Sequence, residues 1–352
     1  MKALKKILVV LISIILAIVL IAFVAWAALH VAKYLIYPDY YAEGEVEAKL
    51  PGLNDGFRPQ GVFYDEESGA YIHSGSKGEH AALYVVDKNG SEKALTPLYN
   101  EKDERSIGRG GAVVRAGDYV YVCDNENQNN SINGILYIFR YTDIMNAKDG
   151  DTVLCIGRIN SHCAMSAMFT DGNYLYVAEF YNPGTNYSTH KTHLYLTPEG
   201  NEQHAMLFAY KLNEDGTLSM TEQEDPDDPT TPKTVLIPAF ALSLDEHVTG
   251  FAIKDGVIML TRGVEWKYSV LEYYYAWRET SDTVKVSGCN VPIYYLDTRD
   301  FADSVKLPMC AGNMTLVGDR VAVTFESASN YYILGKFFFA YNLISFEIPN
   351  PN

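Results

Sequence analysis

Two sets of side chains in this sequence have the types and spacing for chemistry. Counting back eight residues from successive Gly/Asp turns returns Arg109, Cys163, His247 and Cys310, with Gln60 or Arg58 at the matching place before a first, longer turn. His162 adjoins this set. Thiolate and imidazole together suit zinc or copper(I), so Cys163, His247 and Cys310 are candidate metal ligands. The strands that follow the same turns end near His73, Asp124, Glu179, Arg262 and Glu326. Carboxylates, an imidazole and a guanidinium converging on one pocket can do acid–base work or hold a divalent cation. Each set also has a plain structural reading. Cysteine is commonly a buried apolar residue, and strand-end polar residues are often only solvated loop.

Other motifs carry less. His190 and His193 stand three residues apart, but Asn186, Ser188 and Thr189 mark their segment as loop. The tract Asp124 to Asn130 has a calcium-loop composition without the glycine and terminal glutamate at EF-hand spacing, so it reads as solvated loop. Asp225 to Pro229 reads as an acidic tip. Nucleophile-elbow, zincin, phosphate-loop and dinucleotide signatures are missing, which removes the commonest enzymes of those classes. Tyr181, Tyr187, Trp266, Tyr331 and Tyr332 fall in loops, where aromatic rings can stack on a ligand.

These residues need a scaffold that brings distant segments to one place, and the chain repeats one. Each unit has a small-residue start, an apolar strand, a Gly/Asp turn, an alternating aromatic strand and a third strand. The starts are marked by Gly61, Gly111, Ala167, Gly250 and Gly312, at intervals of about 50 to 80 residues. Ala116-Gly117-Asp118, Asp171-Gly172-Asn173, Asp255-Gly256 and Gly318-Asp319 supply hairpin chemistry. Third strands are expected at Leu83–Val86, Leu136–Phe139, Met206–Tyr210, Ile293–Leu296 and Phe337–Tyr341, and outer strands at Lys93–Pro97, Thr234–Pro238 and Ser304–Pro308. Trp266 to Arg278 reads as an inserted short helix. Such a pattern predicts an all-β fold, a β-propeller of five blades, or six if an insertion forms a degenerate blade. The last unit lacks an outer strand, and Glu47-Ala48-Lys49-Leu50-Pro51, ahead of the first unit, is expected to fill that gap and close the ring.

On these repeat units, such as Asp171-Gly172-Asn173-Tyr174-Leu175-Tyr176-Val177-Ala178, the chain resembles extracytoplasmic β-propellers of the NHL, YncE and SMP-30/strictosidine-synthase-like kind, over roughly Glu45 to Ile348. The resemblance implies the fold and transfers no catalytic residue, because the metal pattern of the lactonase branch cannot be placed residue by residue here.

Ahead of the repeats, Ile7 to Leu29 is apolar except for Ser13, about 34 Å of helix against a hydrocarbon core of about 30 Å. Lys2, Lys5 and Lys6 precede it with no acid, which predicts a cytoplasmic start at 1–6, a membrane helix at 7–29, a stalk at 30–43 and an extracytoplasmic propeller at 44–352. The rival reading is a cleaved signal peptide with a small-x-small site at Ala25-Trp26-Ala27, and the apolar run is long for one. Five cysteines without a CxxC define no disulfide framework. Of the net charge of −16, removing the three leading lysines leaves −19 on residues 31–352, which argues against nucleic acid and anionic surfaces as partners. Two functional classes stay open. One is a membrane-anchored module binding a small ligand or protein at the channel mouth; the other is a metal-assisted hydrolase or lactonase using Asp124, Glu179, His247 and Glu326 there.

Overall fold

A computed structural model describes residues 2–98, 109–128, 131–183, 194–223, 233–264, 267–332 and 340–351. The chain divides into two units, Met1–Glu43 and Gly44–Asn352. In the first, a helix runs from Lys2 to Ile36, long and apolar enough from Lys5 to cross a membrane, and a short helix, Pro38–Glu43, follows. His190, His193, Tyr187, Trp266 and the Asp225–Pro229 tract lie outside the described residues.

The second unit is a five-bladed β-propeller. Each blade begins with an inner strand and returns through a tight turn: Phe57–Asp65 with Ala70–Lys77, Val113–Ala116 with Tyr119–Gln128, Met165–Thr170 with Tyr174–Glu179, Val248–Lys254 with Val257–Arg262, and Ala311–Val317 with Arg320–Phe325. The turn chemistry is visible at Asp255-Gly256, a two-residue connection between the paired Lys254 and Val257. Both turn residues take positive φ, +50° and +81°, which matches the right-handed strand twist. Alternation then buries one face against each neighbouring blade. Ile72, Leu83, Val85 and Leu95 of blade 1 meet Val113, Val120, Val122 and Phe139 of blade 2 in one cluster. Met168, Val177, Phe208 and Tyr210 of blade 3 meet Tyr121 and Leu136 of blade 2 in another.

The third and outer strands depart from the sequence reading in four places. Ser269–Tyr274, expected as helix, is the third strand of blade 4, with Ser269, Leu271 and Tyr273 buried at every second position. Cys289–Tyr295, expected in blade 4, instead pairs in parallel with Phe240–Leu244, the outer strand of blade 3, and carries Thr283–Val286 beyond it. Lys233–Val235 forms a separate hairpin with Thr221–Gln223. In blade 5 Asn342–Glu347 stands third, and residues 337–339 of the expected Phe337–Tyr341 lie outside the described residues.

Ring closure follows the sequence reading. Glu45–Lys49 pairs antiparallel with Asn342–Glu347, as the fourth strand of blade 5. The inner strands come so close that small residues are required between them. A Cβ on Gly312 would lie 2.5 Å from the Gln60 carbonyl oxygen, and one on Gly61 would lie 2.7 Å from Ala112 Cα. The small residues that mark the repeat are thus set by the narrowness of a five-bladed ring. Below them Asn313, fully buried, reaches across the channel from blade 5 and donates to Met168 O of blade 3 at 2.8 Å.

Candidate functional site

In four of the blades the residue before the marker faces the mouth of the channel. Gln60, Ser166, Thr249 and Ala311, with Gly111 of blade 2, line a cavity of about 610 Å³ to which all five blades contribute. Arg109, Asp124 and Asn125 come from blade 2, Phe180 and Asn182 from blade 3, Val264 from blade 4, and Met309, Cys310, Glu326 and Tyr332 from blade 5. The Asn313–Met168 bridge separates this cavity from a second of about 430 Å³ near Tyr64, Thr170 and Thr315.

Each blade junction at the mouth is fastened by a side chain. Ser74 Oγ donates to Gly110 O at 2.7 Å, Ser166 Oγ to Val248 O at 2.8 Å, and Thr261 Oγ1 to Gly312 O at 2.7 Å. Asn125 clamps Met165 from both sides, donating to its carbonyl at 2.7 Å and accepting from its N–H at 2.8 Å. Gln60 Nε2 closes the last seam on Glu326 Oε2 at 2.9 Å. These bonds hold strands from different blades in register and so fix the shape of the cavity wall.

Two carboxylates stand in that wall. Glu326 accepts from Gln60 and, at 2.8 Å, from the Tyr332 hydroxyl, so neutral donors orient it. Asp124 is buried, and its Oδ1 accepts the backbone N–H of Asn125 at 2.7 Å and of Arg109 at 3.2 Å. Burial raises the Tyr332 phenol above its ordinary range, and the charge of Glu326 adds to this, so the hydroxyl stays a donor. Cys310 also lines the cavity. Burial and the nearby Glu326 push its thiol up to about 12, which keeps it protonated at neutral pH.

Of the sequence candidates, Gln60, Arg109, Asp124, Cys310 and Glu326 meet at this cavity. His247 sits behind it, its Nε2 3.0 Å from Oδ1 of the lining residue Asn182. His247 and Cys310 are true counterparts: their carbonyls accept from Gly263 N and Glu326 N, and their φ angles are +65° and +57°. The count back from the turn slips by one elsewhere. Gly110, not Arg109, takes the positive φ in blade 2, and Ala164, not Cys163, accepts the matching bond in blade 3. Cys163 turns instead into the apolar core, where burial raises its thiol well above the ordinary value.

The second set is likewise uneven. Glu179 and Arg262 are cross-strand partners of Met165 and Val248, and the equivalent residue of blade 1 is Gly75. His73 therefore lies two residues short of the mouth, because its strand continues through Ser74, Gly75 and Ser76 to Lys77. It is wholly buried, neither ring nitrogen has a partner, and burial lowers its pKa to about 3. Glu179 is buried and accepts from Met206 N at 3.0 Å. Arg262 is taken up by Asp245 at 2.8 Å and Glu272 at 3.2 Å. Arg58 donates to Gly78 O at 2.8 Å and lies over the Tyr331 ring, and His162 Nε2 is 2.7 Å from Leu236 O. Among the described residues no three His, Cys, Asp or Glu side chains gather closely enough to hold a metal ion.

The sequence reading passed over Asn125, Ser166, Phe180, Asn182, Thr249 and Met309. Ser166 and Thr249 carried a usable signal, their place directly before Ala167 and Gly250. Asn125 was hidden in a tract that reads as solvated loop.

No protein-family model and no curated protein matches the chain by sequence. Among solved structures it is similar to a GH43_1 enzyme from Xanthomonas citri complexed with xylose, at 8% identity over 92% of this chain and 93% of that one, with a TM-score of 0.43. It is similar to BamB from Moraxella catarrhalis at 9% identity, 83% of each chain and a TM-score of 0.32, and to the Dos1 propeller at 11%, 80% and 68%, and 0.32. The likeness to these β-propeller proteins is one of architecture.

Proposed function

We propose that the chain is a membrane-anchored receptor whose propeller, held outside the cytoplasm, binds a small ligand in the mouth cavity. One observation carries the reading: a cavity of about 610 Å³ shared by all five blades, its wall fixed by a hydrogen bond at each seam. That volume is within the range of small-molecule sites. The helix of Lys5–Ile36 supports the anchor, and the lysines before it, with no acid among them, support a cytoplasmic start.

The test is a ligand screen by thermal shift on the full chain in detergent, repeated with Val264→Trp to fill the cavity from its rim. A ligand that raises Tm in the native protein and not in the variant supports the reading. Hits that shift both proteins equally bind elsewhere and overturn it. Protease added to intact cells is expected to digest the propeller while sparing an N-terminal tag; protection of the propeller would reverse the orientation.

A further inference from the structure

The wall of the mouth cavity turns its hydrogen-bond donors inward. The Gln60 amide and the Tyr332 hydroxyl donate to Glu326, the Asn125 amide to Met165 O, the Ser166 hydroxyl to Val248 O, and the Thr249 hydroxyl to Thr261. Acceptors are left over: Gln60 Oε1 is buried in the wall with no partner. Such a group is unfavourable until a donor reaches it. Among the described residues two carboxylates, Asp124 and Glu326, line the cavity against one cation, Arg109, which is exposed. Phe180 and Tyr332 add aromatic rings, which attract cations at their faces.

A ligand for this wall must bring donors and positive charge. An anion would meet two carboxylates, and a neutral polyol would find few donors for its oxygens. A bare metal ion would need a ligand cluster that the described residues do not form. We infer that the mouth takes an organic cation, a small molecule bearing an ammonium or guanidinium group, with Asp124, Glu326 and Gln60 Oε1 as its acceptors. This rests on the mouth being the ligand site. The charge of −19 on residues 31–352 favours the approach of such a ligand at low salt.

Calorimetry on the full chain in detergent at neutral pH tests it, with agmatine and choline as cationic probes. 3,3-Dimethylbutan-1-ol is the neutral isostere of choline, xylose the polyol and citrate the anion. The expected result is that a cationic probe binds at least about tenfold more tightly than its isostere, xylose or citrate. Glu326→Gln and Asp124→Asn, each close to isosteric, should weaken that probe by about tenfold or more, while Val264→Trp abolishes its binding. Because the isostere comparison uses the native protein, a variant that fails to fold leaves the test intact. Equal binding of choline and its isostere, or no cationic probe bound at about 10 mM, overturns the inference. If xylose binds best and Val264→Trp removes it, the mouth reading survives and the cation falls. If a cation binds Val264→Trp as well as the native protein, both fall.

Discussion

His73 shows how one misplaced residue changes character. Two positions nearer the mouth it would be a titrating group; where it stands it is a buried imidazole without a partner, with its pKa lowered to about 3 from 6.5. The folded protein stays neutral there while the unfolded chain takes up a proton as the pH falls below 6.5. Stability is therefore lost on acidification, at up to about 1.4 kcal/mol per pH unit, until the folded pKa is reached. His247, also lowered by burial, acts in the same direction. His73→Leu, similar in volume, is expected to raise Tm at neutral pH and to flatten the fall in Tm between pH 6.5 and about 4. An unchanged slope in a pH series of thermal melts would show that His73 is not the group responsible.

At the level of strands and turns, the legible parts were those with local chemistry. Inner and second strands of each blade are joined by Gly/Asp turns, and the residues that set positive φ are written in the sequence. Third and outer strands follow loops of varied length, and their partners are decided by packing. Cys289–Tyr295 could join either blade on pattern alone and went to blade 3. The aromatic content of Trp266–Arg278 suggested a helix, yet its strand alternates at period two. The site suffered from the same cause. A fixed count from the turn finds His247 and Cys310 but slips in blade 3, where four residues separate the paired Thr170 and Leu175 instead of the two between Lys254 and Val257. In the sequence the marker glycines read as repeat punctuation, and only the packed ring explains them. Gly312→Ala would place its Cβ against the Gln60 backbone and is expected to cost about 1–3 kcal/mol, measured by denaturant unfolding. It should also weaken ligand binding, because Gln60 must move. Native stability in this variant would mean the inner strands can spread.

For the molecule as a whole, blade 5 is made from both ends of the propeller sequence. Removing residues 1–43 leaves every strand of the propeller in place and is expected to give a soluble, cooperatively melting protein. Removing residues 1–49 strips the edge of Asn342–Glu347 and should lower Tm and cause association through the bared edge, seen by light scattering. Equal behaviour of the two truncations would show that the closing strand is dispensable.

That strand also imposes an order on synthesis. Glu47 accepts a hydrogen bond from Ser345, 298 residues later in the chain. At ribosomal rates of about 5–20 residues per second, the first strand of the propeller waits roughly 15–60 s for its partner. Through that interval it is an unpaired β-edge. Its sequence suits the wait: Glu45, Glu47 and Lys49 put a charge at every second position, which discourages pairing with the wrong strand until translation reaches the right one.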